Sequence, residues 1–262
     1  MHGLGNIDPG MKIDWGKTSL DYAQYRPGPP LSFYSKLQTL GVGKKGQRIL
    51  DLGTGTGVLA RQFAKQGCLV TGTDLAPEQI KMAETLASME HLAVTFKAVP
   101  TEEISFSDAK FDAITANQCF LYFDKTKVVP LIKKYLAVSG VFVTSHFSWL
   151  PLIDKIAHAS EQLILKHNPN WTAHSFKGVV PLIPYGLGDA FEVVDSFYYD
   201  QPIEFTREEW RGRIRASRGI GAALLPDQIE LFDREHEELL KEIAEEKFQI
   251  IHRIDAHIMS PK

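Results

Sequence analysis

A chain of 262 residues is long enough to bury one large α/β core. Its 44% hydrophobic and 23% charged content is that of a folded globule and excludes a disordered or fibrous chain. A net charge of −3 supplies no global basic field for nucleic acid.

The opening MHGLGNIDPGMKIDWGK lacks an apolar signal core, and no segment approaches 18 consecutive apolar residues. Cys68 and Cys119 sit in apolar contexts without metal-ligand spacing. A soluble cytoplasmic protein is expected, with reduced cysteines, no metal and no membrane partner. Helices are predicted over 17–25 and 30–40, split by Arg26-Pro27-Gly28-Pro29-Pro30. Then a regular alternation begins. Arg48–Leu52 reads as a buried strand, 57–67 as a helix stopped by Gly67, and Cys68–Asp74 as a second strand. Pro77–Met89 is a helix with Pro77 in its first turn. Strands follow at Ala93–Val99 and Phe111–Asn117, a helix at Val128–Ala137, and a fifth strand at Val141–His146. Strands separated by helices of about ten residues make βαβ units and a parallel sheet.

After Phe147 the rhythm breaks. Residues 148–190 mix helix and loop, a sixth strand is predicted near Phe191–Tyr199, and a charged helical region fills 207–246. Phe248, Ile250, His252, Ile254, Ala256 and Ile258 alternate, which is strand periodicity. The expected fold is α/β. It is a Rossmann-like, doubly wound, seven-stranded and mostly parallel sheet with an antiparallel C-terminal strand. One domain is expected across 1–262, with its core at about 46–147 plus strands 191–199 and 248–260. Helical lid elements are expected at 1–40, 148–190 and 207–246.

The stretch RILDLGTGTGVLAR at 48–61 carries the first functional signal. Ligands of open α/β sheets bind beyond the carboxyl ends of the strands, where this loop must lie. Gly53, Gly55 and Gly57 depart from the dinucleotide spacing G-x-G-x-x-G, which would put its third glycine at Val58. Asp51, just before the loop, would repel a pyrophosphate and favour a cationic ligand. Asp74 ends the second strand, and one carboxylate offers two oxygens to a vicinal diol.

This D-x-G-x-G-x-G pattern, the acid in TGTDLAPEQI and the segment TEEISFSDAKFDAITANQCF together resemble the class I S-adenosylmethionine (SAM)-dependent methyltransferases. The likeness covers about residues 20–147 well and the last two strands loosely. It lies toward the type 11-like and trans-aconitate-like enzymes that act on small molecules. The resemblance implies SAM as cofactor. It puts Gly53, Thr54 and Gly55 along the methionine half, with Asp51 helping to hold the ammonium through water or backbone. Asp74 would bind the ribose, Leu75 would lie against the adenine, and Thr101 and Glu102 would sit at the adenine end. Val99-Pro100-Thr101 stands where many relatives carry an Asp, which leaves Glu102 or a backbone group to read the adenine amino group. The Asn117 carbonyl would face the amino acid part and Gln118 the methyl donor. In LDYAQYRPGPP, Arg26 would pair with the SAM carboxylate and Tyr22 would wall the methyl channel. Plainer roles stay open: Asp51 as a loop cap, Thr101 and Glu102 as a helix N-cap with a first-turn acid, and residues 17–25 as a helix packed on the sheet edge.

Methyl transfer from a sulfonium is an in-line displacement, and a base is needed only for an acceptor protonated at neutral pH. His146 ends the fifth strand and is the best general-base candidate, with a strand cap as its alternative. Tyr122 is a substrate wall or core packing. Arg211, Arg215 and Arg218 are spaced to share one helix face. They offer sites for an anionic acceptor, or form a solvated face paired with Glu208, Glu209 and the acidic EHEELLKEIAEE. The expected function is methyl transfer from SAM to a small molecule by a monomer or homodimer. The alternatives are a SAM-binding module without catalysis or directed at protein or RNA, and an NAD-dependent oxidoreductase. Asn117-Gln118-Cys119-Phe120 lacks the Asn-Pro-Pro-aromatic pattern of nucleobase-methylating enzymes, so no nucleic-acid partner is expected.

Overall fold

A computed structural model describes residues 7–107 and 109–262. Residues 1–6 of the expected lid range 1–40, and Asp108 within TEEISFSDAKFD, lie outside the described residues.

The chain opens with a 3-10 turn at Trp15–Thr18, followed by α1 (Ser19–Tyr25) and α2 (Leu31–Thr39). Arg26 separates the two helices because a residue before proline is driven out of the helical region, and its backbone is extended. β1 (Arg48–Leu52), α3 (Val58–Lys65), β2 (Leu69–Asp74), α4 (Pro77–Met89), β3 (Val94–Ala98) and β4 (Phe111–Asn117) follow as strand–helix units. Ile49, Leu50 and Leu52 are all buried, so β1 has no solvent face, as a strand in the middle of a parallel sheet requires.

α5 (Lys125–Tyr135) starts three residues earlier than its apolar pattern suggests, because Asp124 caps it by accepting from the Thr126 N–H. It runs directly into β5 (Leu136–Trp149). Then come α6 (Lys155–His167), capped by Asp154, and β6 (Phe191–Thr206). The charged region 207–246 resolves into two helices, α7 (Arg207–Arg215) and α8 (Pro226–Ile243), ahead of β7 (Lys247–Pro261).

The strands form one sheet in the order β3-β2-β1-β4-β5-β7-β6. β1 to β5 pair in parallel, and β7 runs antiparallel to both β5 and β6. The seven-stranded, mostly parallel sheet with an antiparallel last strand is therefore present. β5, β6 and β7 are longer than their sequence patterns, because β6 and β7 pair as a ribbon from Phe191↔Pro261 to Thr206↔Lys247. Two core clusters involve the sheet, and a third packs α6, α7 and α8 around Trp210, Phe205 and Ile250 at the far end of that ribbon. The order changes direction between β1 and β4, which opens a crevice beyond their carboxyl ends.

Candidate active site

A cavity of about 750 Å³ occupies that crevice. Its floor comes from strand ends: Gly53 and Gly55 after β1, Asp74 ending β2, Asn117 and Gln118 at the end of β4, and His146 in β5. Trp15, Tyr22 and Arg26 cover it from the N-terminal side, and Trp171, Thr172 and His174 from the segment after α6. Arg213 and Arg218 close it from α7 and the turn beyond.

Gly53 (φ 60°) and Gly55 (φ 56°) both adopt the left-handed backbone that costs a side chain. A Cβ at Gly53 would stand 2.8 Å from Cys119, whereas one at Gly55 would meet only the Tyr22 ring, at 3.6 Å. The loop backbone at Gly55 thus lies open beneath Tyr22. Asp74 braces it: one oxygen accepts from the Gly55 N–H and the other from the Ala76 N–H, both at 2.9 Å.

Asp51 and Thr54 do not reach the cavity wall, contrary to their expected place beside the ligand. The Asp51 carboxylate is buried and accepts 2.6 Å hydrogen bonds from the Thr54 and Thr115 hydroxyls. Both oxygens are therefore engaged in tying the loop to β4. Burial pushes the Asp51 carboxyl up to about 6, against those two hydrogen bonds and with help from the charge of Asp74.

The other expected positions converge. Leu75, Thr101, Glu102 and Tyr122 line the cavity, with Leu75 exposed at the rim. Thr101 and Glu102 lie in a 3-10 turn that makes no side-chain cap, and Glu102 accepts instead from the Asp124 N–H at 2.9 Å. The Asn117 side-chain oxygen accepts from the Ser145 hydroxyl. Gln118 takes a left-handed backbone (φ 58°), and its amide joins Arg26 on one side to the Phe147 carbonyl on the other. The Arg26 guanidinium lies 4.4 Å from the Tyr22 ring centroid. Tyr122 meets Trp15 edge-on, and its hydroxyl accepts from Arg218.

His146 Nδ1 lies 2.9 Å from Asp255 Oδ2. The His146 side chain is 39% exposed, whereas that of Asp255 is 4% exposed. β5 and β7 place the two residues directly opposite each other. Asp255 is a site residue that alternation alone did not reveal. The alternating face of β7 is the even-numbered one, but Asp255, His257 and Met259 are buried as well. Only the pairing register with His146 marks Asp255.

Arg211 and Arg215 correct the expected anion-binding face, because neither lines the cavity. Arg211 pairs with Asp233 and, at 3.1 Å, with Glu237. Arg215 pairs with Asp21 at 3.0 Å and Asp233 at 2.6 Å. Together they bolt α7 between α1 and α8. The helix ends at Arg215, so Arg218 lies outside its face. Arg218 does reach the cavity, where it forms a buried ion pair with Asp8 at 3.1 Å and donates to Thr172. Arg213 also lines the cavity, although its position in the sequence drew no notice.

Among the described residues, no group of three or more His, Cys, Asp or Glu side chains is placed to hold a metal ion. No helix among them is long and apolar enough to cross a membrane.

A methyltransferase-domain family model matches residues 43–200, more than half of the chain. A ubiquinone biosynthesis O-methyltransferase of Psychrobacter cryohalolentis is 29% identical over 148 residues, which cover 55% of this chain and 58% of that relative. The chain thus spans under two thirds of that relative's length. The enzyme of the same name from Xanthomonas axonopodis pv. citri is 28% identical over 178 residues, or 66% of this chain and 71% of the relative. A SAM-dependent methyltransferase from Thiobacillus denitrificans, solved with S-adenosyl-L-homocysteine, superposes with a TM-score of 0.53 at 17% identity. That superposition covers 95% of this chain and 98% of the other.

Proposed function

The chain belongs to the class I SAM-dependent methyltransferases, and on that premise we propose that it moves a methyl group from SAM to a hydroxyl oxygen of a small-molecule acceptor. The observation that carries this reading is the His146–Asp255 pair in the cavity that the glycine loop also lines.

The residues present suit the cofactor. The loop backbone open at Gly55 admits a ligand, Asp74 keeps lone pairs for a diol, and Leu75 offers an apolar rim. Arg26, whose partners are a neutral amide and a tyrosine ring, is suited to hold the amino acid carboxylate. Bound SAM supplies a methyl group on a positively charged sulfur.

The chain's own chemistry concerns the proton. A carboxylate can only accept a hydrogen bond, so the Asp255 contact places the imidazole hydrogen on Nδ1 and leaves Nε2 as a lone pair. Nε2 would take the acceptor's hydroxyl proton while that oxygen takes the methyl group the cofactor would supply, the electrons of the broken C–S bond staying on sulfur. Asp255 holds the ring in this tautomer and stabilises the imidazolium that forms. The relatives named as O-methyltransferases support the choice of oxygen.

With 3,4-dihydroxybenzoate as acceptor, His146→Gln should lower kcat/KM about 100-fold or more. S-adenosylhomocysteine affinity should stay unchanged. Asp255→Asn should fall between the wild type and that variant. A His146→Gln enzyme with wild-type kcat/KM would overturn the assignment of the base.

A further inference from the structure

We propose that Arg213 is an anion-binding subsite, and that the methyl acceptor carries a carboxylate which this guanidinium receives. The proposal rests on the reading that the acceptor occupies this cavity.

Residues two apart on a helix point about 200° from each other. Arg211 and Arg215 therefore face the acids of α1 and α8, while Arg213 turns inward with its neighbours Ile214 and Trp210. It is 3% exposed and lies 4.8 Å from the Trp149 ring centroid. Its Nε is buried without a hydrogen-bond partner. Among the described residues, no carboxylate comes within ion-pair distance of it and no group accepts a hydrogen bond from it.

The acids around the cavity are already engaged. Asp74 receives the Gly55 and Ala76 N–H groups, and Glu102 receives that of Asp124. Glu161 uses one oxygen for Trp149 Nε1 and the other for the Ser175 N–H. Asp255 faces His146. Arg218 is neutralised by Asp8. Among the described residues, two guanidiniums in the cavity wall therefore lack a carboxylate, Arg26 and Arg213. Burial, and then the charge of Arg26, both act against the protonated form of Arg213, with Tyr22 opposing them and no carboxylate among the causes. A buried cation without a counter-charge is costly to keep in a fold. Buried Arg213 and half-buried Arg26 match two bound anions: the cofactor's own carboxylate at Arg26, and one on the acceptor at Arg213.

The test uses benzoate and its neutral isostere benzamide, titrated by calorimetry into the protein saturated with S-adenosylhomocysteine. Benzoate should bind wild type at least about tenfold more tightly than benzamide. Arg213→Met should abolish that preference and leave S-adenosylhomocysteine affinity within about twofold, while Arg26→Met should weaken the nucleoside instead. The wild-type comparison stands even where a variant folds poorly. Benzoate binding no better than benzamide, including neither binding at about 10 mM, would refute the subsite. So would benzoate preference retained in Arg213→Met, or loss of nucleoside affinity in that variant. Because this readout is binding without turnover, it stands or falls separately from the role of His146.

Discussion

Asp51 shows how one residue can be both motif and scaffold. Its carboxylate bridges Thr54 in the loop and Thr115 in β4, away from the cavity. Its folded-state value of about 6 lies above the ordinary carboxylate value. A raised value means that the folded state binds the proton more tightly. The associated stability is present at low pH and is lost as pH climbs from about 4 through about 6. Asp51→Asn, which cannot ionise, should escape that loss. Wild type should decline relative to the variant across this window by up to roughly 3 kcal/mol, read from urea midpoints at each pH. Gly55→Val should act differently. A β-branched side chain at φ 56° is strained and intrudes below Tyr22, so binding of S-adenosylhomocysteine should be lost. Calorimetry on the folded variant checks this. The glycines and Asp74 were legible because tight backbone approach and a strand-end acid leave local marks. Asp255 and Arg213 left none. What brings each of them to the cavity is a strand register in one case and a helix phase in the other, and those appear only once the partners are placed.

Among the elements, α7 packs between α1 and α8. Its capping box, Thr206 with Glu209, fixes where it starts. Gly212 in its middle fixes how close α1 can come, because a Cβ there would lie 2.1 Å from the Tyr25 ring. In an open helix Gly→Ala gains about 0.5–1 kcal/mol, but here Gly212→Ala should cost about 1–3 kcal/mol by urea unfolding and also weaken S-adenosylhomocysteine, since α1 carries Tyr22 and leads to Arg26. Arg215→Ala removes the links to Asp21 and Asp233 and should cost a similar amount, about 1–3 kcal/mol, with benzoate binding unchanged. The helical periodicity of 207–246 was readable. So was a stop at the Ser217–Gly221 run, and α7 ends just ahead of it, at Arg215. The first four strands were visible as short buried runs between helices. The extra length of β5 to β7 was not, because an antiparallel ribbon continues wherever its partner does, and β6 lies at the sheet edge with a mixed, half-exposed pattern.

Across the whole molecule, the sheet supplies a fixed floor and distant segments supply the roof. Residues 13–26, 171–181 and 213–218 reach the cavity from three places in the chain, and the Asp8–Arg218–Thr172 cluster fastens them together. Binding of S-adenosylhomocysteine should slow hydrogen exchange in 15–26 and 171–180, with little change in β1 and β4, which are already protected. The glycine loop lies in one short stretch of sequence, whereas the roof is assembled from separate segments, and this is why the acceptor side was harder to see in the sequence. The most direct measurement supplies SAM carrying an isotope-labelled methyl group, together with a small-molecule extract of the host cells, and locates the label by NMR. A labelled methyl on the hydroxyl oxygen of a small acidic molecule, formed by wild type and not by His146→Gln, is the predicted result. Label on nitrogen, on carbon or on macromolecules would contradict it.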